Sequence, residues 1–153
     1  NDAATGSVTI SGTAAEDQTL TLTSTVADAD GIDADTVSYQ WYRDGSAISG
    51  ATGTSYTLIQ DDVGAEITAE QSYTDDFGND HSVTSAATSS ISNVNDAATG
   101  SVTISGTATE DQTLTFTSTV ADADGIDADT VSYQWYRDGS AIPGATGTSY
   151  TVI

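Results

Sequence analysis

The chain has 153 residues, with 23 Asp and Glu against two basic residues, Arg43 and Arg137, giving a formal charge of −21; it has one histidine and no cysteine or methionine. Such acidity repels phosphate backbones and anionic lipid surfaces, which need Lys/Arg clusters to replace their counterions, so no nucleic-acid partner and no membrane insertion are expected. Without cysteine there is no disulfide framework, thiolate metal site or Cys nucleophile, and a lone imidazole leaves no His pair for zinc.

No apolar run approaches the roughly 18 residues of a membrane-spanning helix, and the N-terminus lacks a basic-then-apolar signal, so the chain reads as a soluble internal segment. High charge alone would suit disorder. The composition argues for an ordered all-β protein instead: hydrophobics are 37%, there are two Trp and seven Tyr, one proline, and abundant Ser and Thr.

An internal repeat organises the chain. Asn1-Asp2-Ala3-Ala4-Thr5-Gly6-Ser7 returns as Asn95-Asp96-Ala97-Ala98-Thr99-Gly100-Ser101, a period of 94 residues. Over the 59 overlapping positions four differ: Ala15 against Thr109, Leu22 against Phe116, Ser49 against Pro143 and Leu58 against Val152. That period suits an independent domain, which predicts a complete domain over 1–94 and a second over 95–153 that stops before its last strands. The parent chain is expected to continue; alternatively the second copy takes its missing strands from a neighbouring molecule by swapping or edge pairing. A boundary permuted to 60–153 is arithmetically possible as well.

Alternation predicts about seven short strands per copy and a β-sandwich. In the first copy Val8 and Ile10 share one strand face, followed by Leu20, Leu22 and Val26 on the second strand. Val37, Tyr39 and Trp41 line the third, which turns at Asp44-Gly45. Tyr56 and Leu58 build a later strand, Ile67, Ala69 and Tyr73 continue the core, and a final strand runs near Val83 to Ile91. Asp75-Asp76-Phe77-Gly78-Asn79-Asp80 reads as a hairpin turn, and His81 as a loop histidine.

Tyr39-Gln40-Trp41-Tyr42-Arg43-Asp44-Gly45, then Tyr56-Thr57-Leu58 and Asp62-Val63-Gly64, resemble an immunoglobulin-type domain without its cysteine pair. More closely, E-D-Q-T-L-T, D-A-D-G, Y-Q-W-Y-R-D-G, D-V-G and N-V-N-D resemble the tandem immunoglobulin-like repeats of giant bacterial surface adhesins exported by type I secretion, often of the RTX kind. The resemblance implies an extracellular, cell-surface extender module in cell adhesion or biofilm formation, stacked against neighbouring repeats of its own chain.

Sandwich topology places Glu16-Asp17, Asp61-Asp62 and the segment Asn93-Val94-Asn95-Asp96 at the C-terminal pole of copy one, with Asp122, Asp124, Asp127 and Asp129 offered by copy two. Asp28 and Asp30 are the copy-one counterparts of Asp122 and Asp124. Hard oxygen ligands of this kind suit Ca²⁺ at 6 to 8 coordination. The same positions resemble cadherin-like junction sites, which implies Ca²⁺ held by Glu16, Asp61, Asp62, Asn95, Asp96, Asp122 and Asp124, although the linker supplies fewer carboxylates than a full cadherin motif. The segment Asp28-Ala29-Asp30-Gly31-Ile32-Asp33 is not an EF-hand, since the twelfth loop position is Tyr39 where a bidentate Glu is needed. A solubilising acidic surface is the competing explanation of these clusters.

Other features carry less. Thr19, Thr21, Thr23 and Thr25 alternate along one strand, and neighbouring strands are not expected to extend that array. Tyr42 and Arg43 could form a platform for a carbohydrate or a partner protein, which is the alternative function; Tyr42 packing on its own sheet competes with it. Near-identical tandem copies are a poor way to build one active site, so no enzyme activity is expected.

Overall fold

The computed structural model describes residues 2–153, and among these there are strands and short 3₁₀ turns but no α-helix. The chain divides into two compact units between Val94 and Asn95.

The first unit has seven strands: β1 (Val8–Ser11), β2 (Thr19–Ser24), β3 (Ser38–Arg43), β4 (Ser46–Ala47), β5 (Ser55–Thr57), β6 (Ile67–Thr74) and β7 (Asp80–Thr84). They form two antiparallel sheets ordered β1-β2-β5 and β4-β3-β6-β7. Strict alternation drives the packing: β6 buries Ile67, Ala69, Gln71 and Tyr73, and β2 buries Leu20 and Leu22. These two inner faces meet with Val8, Trp41, Leu58 and Ile91 in one core, the sandwich arrangement that two half-apolar sheets require. Trp41 is fully buried, and its indole N–H donates to the Gly53 carbonyl at 2.8 Å, so the largest core side chain leaves no orphaned donor.

The β3–β4 connection is a two-residue turn in which Asp44 (φ 44°) and Gly45 (φ 80°) are both left-handed, as the twist of a tight hairpin demands. Asp44 accepts the Glu66 N–H at 2.9 Å, tying that turn to the start of β6.

Two sequence expectations need correction. The last strand begins earlier than Val83, at Asp80, and its regular pairing ends at Thr84. Beyond it, the Ser85 and Thr88 hydroxyls accept the N–H groups of Ala69 and Ile67 at 3.0 Å each. Side-chain oxygens there replace backbone carbonyls, so the segment stays bonded to β6 while losing strand geometry. Neighbouring strands also extend the Thr array after all. Thr9 lies opposite Thr23, Ser11 opposite Thr21, Ser55 opposite Thr21 and Thr57 opposite Thr19. Several of these hydroxyls are occupied locally, for example Thr9 Oγ1 donating to the Thr23 carbonyl at 3.3 Å and Thr19 paired with Thr57 at 3.0 Å.

The second unit holds β8 (Val102–Ser105), β9 (Thr113–Ser118), β10 (Tyr136–Arg137), β11 (Ser140–Ala141) and β12 (Ser149–Thr151). Its sheet order β12-β9-β8 mirrors β5-β2-β1, and β10-β11 mirrors the β3-β4 hairpin.

Candidate functional site

Three polar features of the first unit are built deliberately, because each places carboxylates where packing has removed water.

At one pole, Glu16 follows the bend after β1 and is 3% exposed. Its N–H donates to the Ser92 carbonyl at 2.9 Å and its Oε2 accepts the Val94 N–H at 3.3 Å. Asp17 (φ 62°) bonds through its N–H to Leu58, and Leu58 in turn to Gln18, which brings the 60–62 turn alongside. Gln60 reaches Asn93 there at 3.3 Å. Glu16, Asp17, Asp61, Asp62 and Asn93 therefore share one end of this unit.

Asp62 does something the sequence did not suggest. It is fully buried, with Oδ1 taking Arg43 Nε at 2.7 Å and Oδ2 taking the Tyr56 hydroxyl at 2.8 Å and the Ile59 N–H at 2.9 Å. Burial, followed by the hydrogen bond to Asp62 and its charge, pushes the Tyr56 phenol up to about 12. With both oxygens given to protein donors, Asp62 works as a lock between β3, β5 and the 3₁₀ turn. The same bond commits Arg43, while Tyr42 donates to Glu70 at 3.2 Å; both members of the suggested ligand platform thus have internal partners.

The opposite pole holds a second buried network that sequence reasoning missed. Asp28 Oδ2 accepts the Tyr73 hydroxyl at 2.7 Å, and Asp28 Oδ1 accepts the Asp30 N–H at 2.9 Å. The hydrogen bond from Tyr73, then that from Asp30, lowers the Asp28 carboxyl below its usual range. Asp75, 2% exposed, accepts the N–H groups of Phe77 and Asn79 and the Asn79 amide, all at 2.8 to 2.9 Å. Burial opposes its charge, but those bonds and His81 outweigh it and hold Asp75 down at about 2. His81 is in strand β7, not in a loop. Its ring stacks on Tyr73 with centroids 5.1 Å apart, and its Nε2 lies 3.4 Å from Asp75 and 3.7 Å from Asp28. One signal was available: Tyr73 sits at an inward position of β6, and a buried phenol needs a partner.

Asp30 accepts the Asp2 N–H, and Gly31 (φ 91°) brings the backbone so close to Asp76 that a Cβ there would meet Asp76 Oδ2 at 2.1 Å. The second unit repeats the local pattern: Asp124 Oδ2 accepts the Asp96 N–H at 2.7 Å, Asp122 accepts the Asp124 N–H at 3.0 Å, and Asp127 accepts the Asp129 N–H at 3.0 Å. Asn95 turns its amide onto the Asp96 carbonyl at 2.8 Å.

Carboxylate oxygens such as those of Asp30 and Asp76 are hard donors, of the kind that suits Ca²⁺ rather than a thiophilic or imidazole-preferring metal. Asp28, Asp62 and Asp75 fit that purpose poorly, because both oxygens of each already accept protein hydrogen bonds. Among the described residues no helix is long and apolar enough to cross a membrane. No protein-family model matches the sequence, and no characterised protein matches it as a relative.

Proposed function

We propose that this chain is a structural, non-catalytic extender: an immunoglobulin-like repeat of a bacterial cell-surface adhesin, stacked end to end and stiffened by Ca²⁺, that projects a distal binding domain. One observation carries the mechanical part of this reading. The β1–β2 connection and the C-terminal segment of the first unit are bonded to each other in parallel, Ala15 beside Ser92. Glu16 N–H donates to Ser92 at 2.9 Å, Ser92 N–H to Ala14 at 3.0 Å, and Ser92 Oγ to Ala14 at 3.1 Å. Parallel segments pulled from opposite ends slide along one another, so all their hydrogen bonds take load together instead of opening one at a time. That arrangement suits a module that transmits tension.

The near-identity of the two copies supports stacking, since reach depends on the number of modules and not on any one surface. Ca²⁺ would be held by carboxylates at the poles of each unit: Glu16, Asp17 and Asp61 at one end of the first, and Asp30 and Asp76, or Asp96, Asp122, Asp124 and Asp127 in the second, at the other. The ion would neutralise like charges that otherwise keep the linker extended and loose. A secreted, extracellular setting follows from the same reading.

Single-molecule pulling of the chain by its two ends tests the load-bearing role. The reading expects the first unit to unfold at a high, sharp force that falls when Ser92→Pro removes the N–H bonded to Ala14. Unfolding at a low force that Ser92→Pro leaves unchanged would overturn it.

A further inference from the structure

The sheet β1-β2-β5 ends on β1, and one side of that strand has no partner strand among the described residues. Thr5 and Ala27 exchange hydrogen bonds at 2.8 and 3.0 Å, and Thr25 donates to the Ser7 carbonyl at 2.9 Å. Bonded and unbonded pairs alternate along an antiparallel ladder, so Thr9 and Ser11 also turn their backbone toward β2. Val8 and Ile10 turn theirs to the open side. Opposite Ile10, Leu22 sends its N–H away from β1, to the Thr54 carbonyl at 2.8 Å. Beside the open edge runs a cleft of about 220 Å³ walled by Val8, Ile10, Ala86, Ala87 and Thr88. The devices that usually blunt an edge are missing, since β1 has no proline, no charge and no bulge in its register with β2.

Charge marks the same place. In a chain of net charge −21, β1, β2 and β5 hold no Asp, Glu, Lys or Arg, and neither does the far wall of the cleft from Ser82 to Asn95. The other sheet carries Arg43, Glu70 and Asp80. A cationic partner would be drawn to the acidic loops. The occupant this edge suits is one that must avoid them, a second and equally acidic copy of the chain, because two such chains approach closely only over an uncharged patch.

We infer that β1 pairs antiparallel with β1 of a second copy, joining their two sheets into one continuous sheet. The glycines at its ends fix the register. Gly6 (φ 81°) and Gly12 (φ 126°) depart from strand geometry, so the register that uses both Val8 and Ile10 of each copy sets Thr9 opposite Thr9 on a two-fold axis. Val8 of one copy and Ile10 of the other then become bonded pairs through their open-side N–H and C=O groups. Cross-strand partners share a face, so Ile10 of the second copy lies inward across from Val8 and closes the cleft over Ala86 and Ala87. In the second unit β8 has the same sequence and the same terminal place in its sheet, so either strand of one chain serves either strand of another. Rods of such repeats would hold one another through many weak pairs.

The contact rests on the extender reading for its setting only, the lateral association of neighbouring rods; it needs no cation, so the test is run in EDTA and its failure leaves that reading standing. Sedimentation velocity of the full chain in physiological salt, from micromolar to millimolar concentration, is expected to show a concentration-dependent dimer. Hydrogen exchange over the same range is expected to slow at the Val8 and Ile10 amides, while Thr9, already bonded to β2, keeps its rate. Thr9 is exposed, so a charge there tests the register without touching the core. A chain with Thr9→Glu and Thr103→Glu, and one with Thr9→Lys and Thr103→Lys, are each expected to dimerise at least tenfold more weakly, because like charges then face one another; mixing the two restores association. The same exchanges at Thr57 and Thr151, on the opposite edge strands, control for general attraction between unlike charges and are expected to leave the dimer unchanged. A chain that stays monomeric at every concentration, a dimer whose Val8 and Ile10 amides exchange at the monomer's rate, or a dimer indifferent to charge at Thr9 and Thr103 would overturn the proposal.

Discussion

Arg43 Nε lies 2.7 Å from Asp62 Oδ1, and the carboxylate it meets is completely buried while the guanidinium side chain keeps 29% of its exposure. The pair joins the end of β3 to the turn that precedes β6, and because the same carboxylate accepts the Tyr56 hydroxyl of β5, it also ties one sheet to the other. Asp62→Ala would leave a cation, the Tyr56 hydroxyl and the Ile59 N–H without their acceptor. Removing one partner of a buried pair costs about 3–5 kcal/mol, and the remaining exposure of Arg43 places this case near about 3 kcal/mol. Urea denaturation of the variant measures it; a loss below about 1 kcal/mol, the range of a surface pair, would show that the lock is ornamental.

Acid sensitivity is expected to centre on Asp75. Its carboxyl is held at about 2 in the folded chain, below the ordinary 3.8, so its contribution is fully present above pH 3.8 and is lost as pH falls through about 2. Thermal melting at intervals between pH 5 and pH 2 would show a steep decline in the native chain. In Asp75→Asn, less stable at neutral pH, the decline over the same interval is expected to be shallower. Parallel profiles would contradict the assignment.

At the alkaline end the sign reverses. Tyr56 and Tyr73 are each held at about 12 against an ordinary 10, for Tyr73 through burial and then the hydrogen bond to Asp28. Their contribution is present below pH 10 and disappears as pH rises through about 12. Phenolate absorbance is predicted to rise in two stages, with two tyrosines ionising only as the fold opens. Two missing late equivalents would refute the buried networks as drawn.

Glycines 6 and 45 have nearly the same backbone angle, φ 81° and 80°, but different surroundings. A Cβ at Gly6 would stand 2.1 Å from the Thr25 carbonyl oxygen, whereas at Gly45 nothing lies within 4 Å. Gly45→Ala therefore carries the left-handed penalty alone, about 1–2 kcal/mol. Gly6→Ala adds a backbone collision and is predicted to destabilise at least twice as much, as equilibrium unfolding of the two variants would reveal. Equal effects would mean that the chain before β1 moves aside freely.

Much of the core was legible because it follows period and turn chemistry. Leu20, Leu22, Trp41, Ile67, Ala69 and Tyr73 are buried by alternation, and Asp44-Gly45 is a turn that only a residue tolerant of positive φ followed by glycine makes easily. The polar networks were less legible, since each joins strands remote in sequence. Tyr73 and Asp28 are 45 positions apart, and nothing local distinguishes Asp28 from the other acids of its loop. Asp62 looked like a cation ligand by the company of Asp61, yet register turns it inward onto Arg43. The Thr array was underestimated for a related reason: which hydroxyls face one another depends on the β1-β2-β5 register, and one strand's sequence does not contain it.

The central claim, a calcium-stiffened extender, is tested most directly by melting the chain in millimolar Ca²⁺ and in EDTA, with small-angle scattering of both samples. The account predicts a marked rise in melting temperature with Ca²⁺ and a longer, stiffer particle. Identical melting and identical scattering would contradict it, leaving the carboxylates as a solubilising surface.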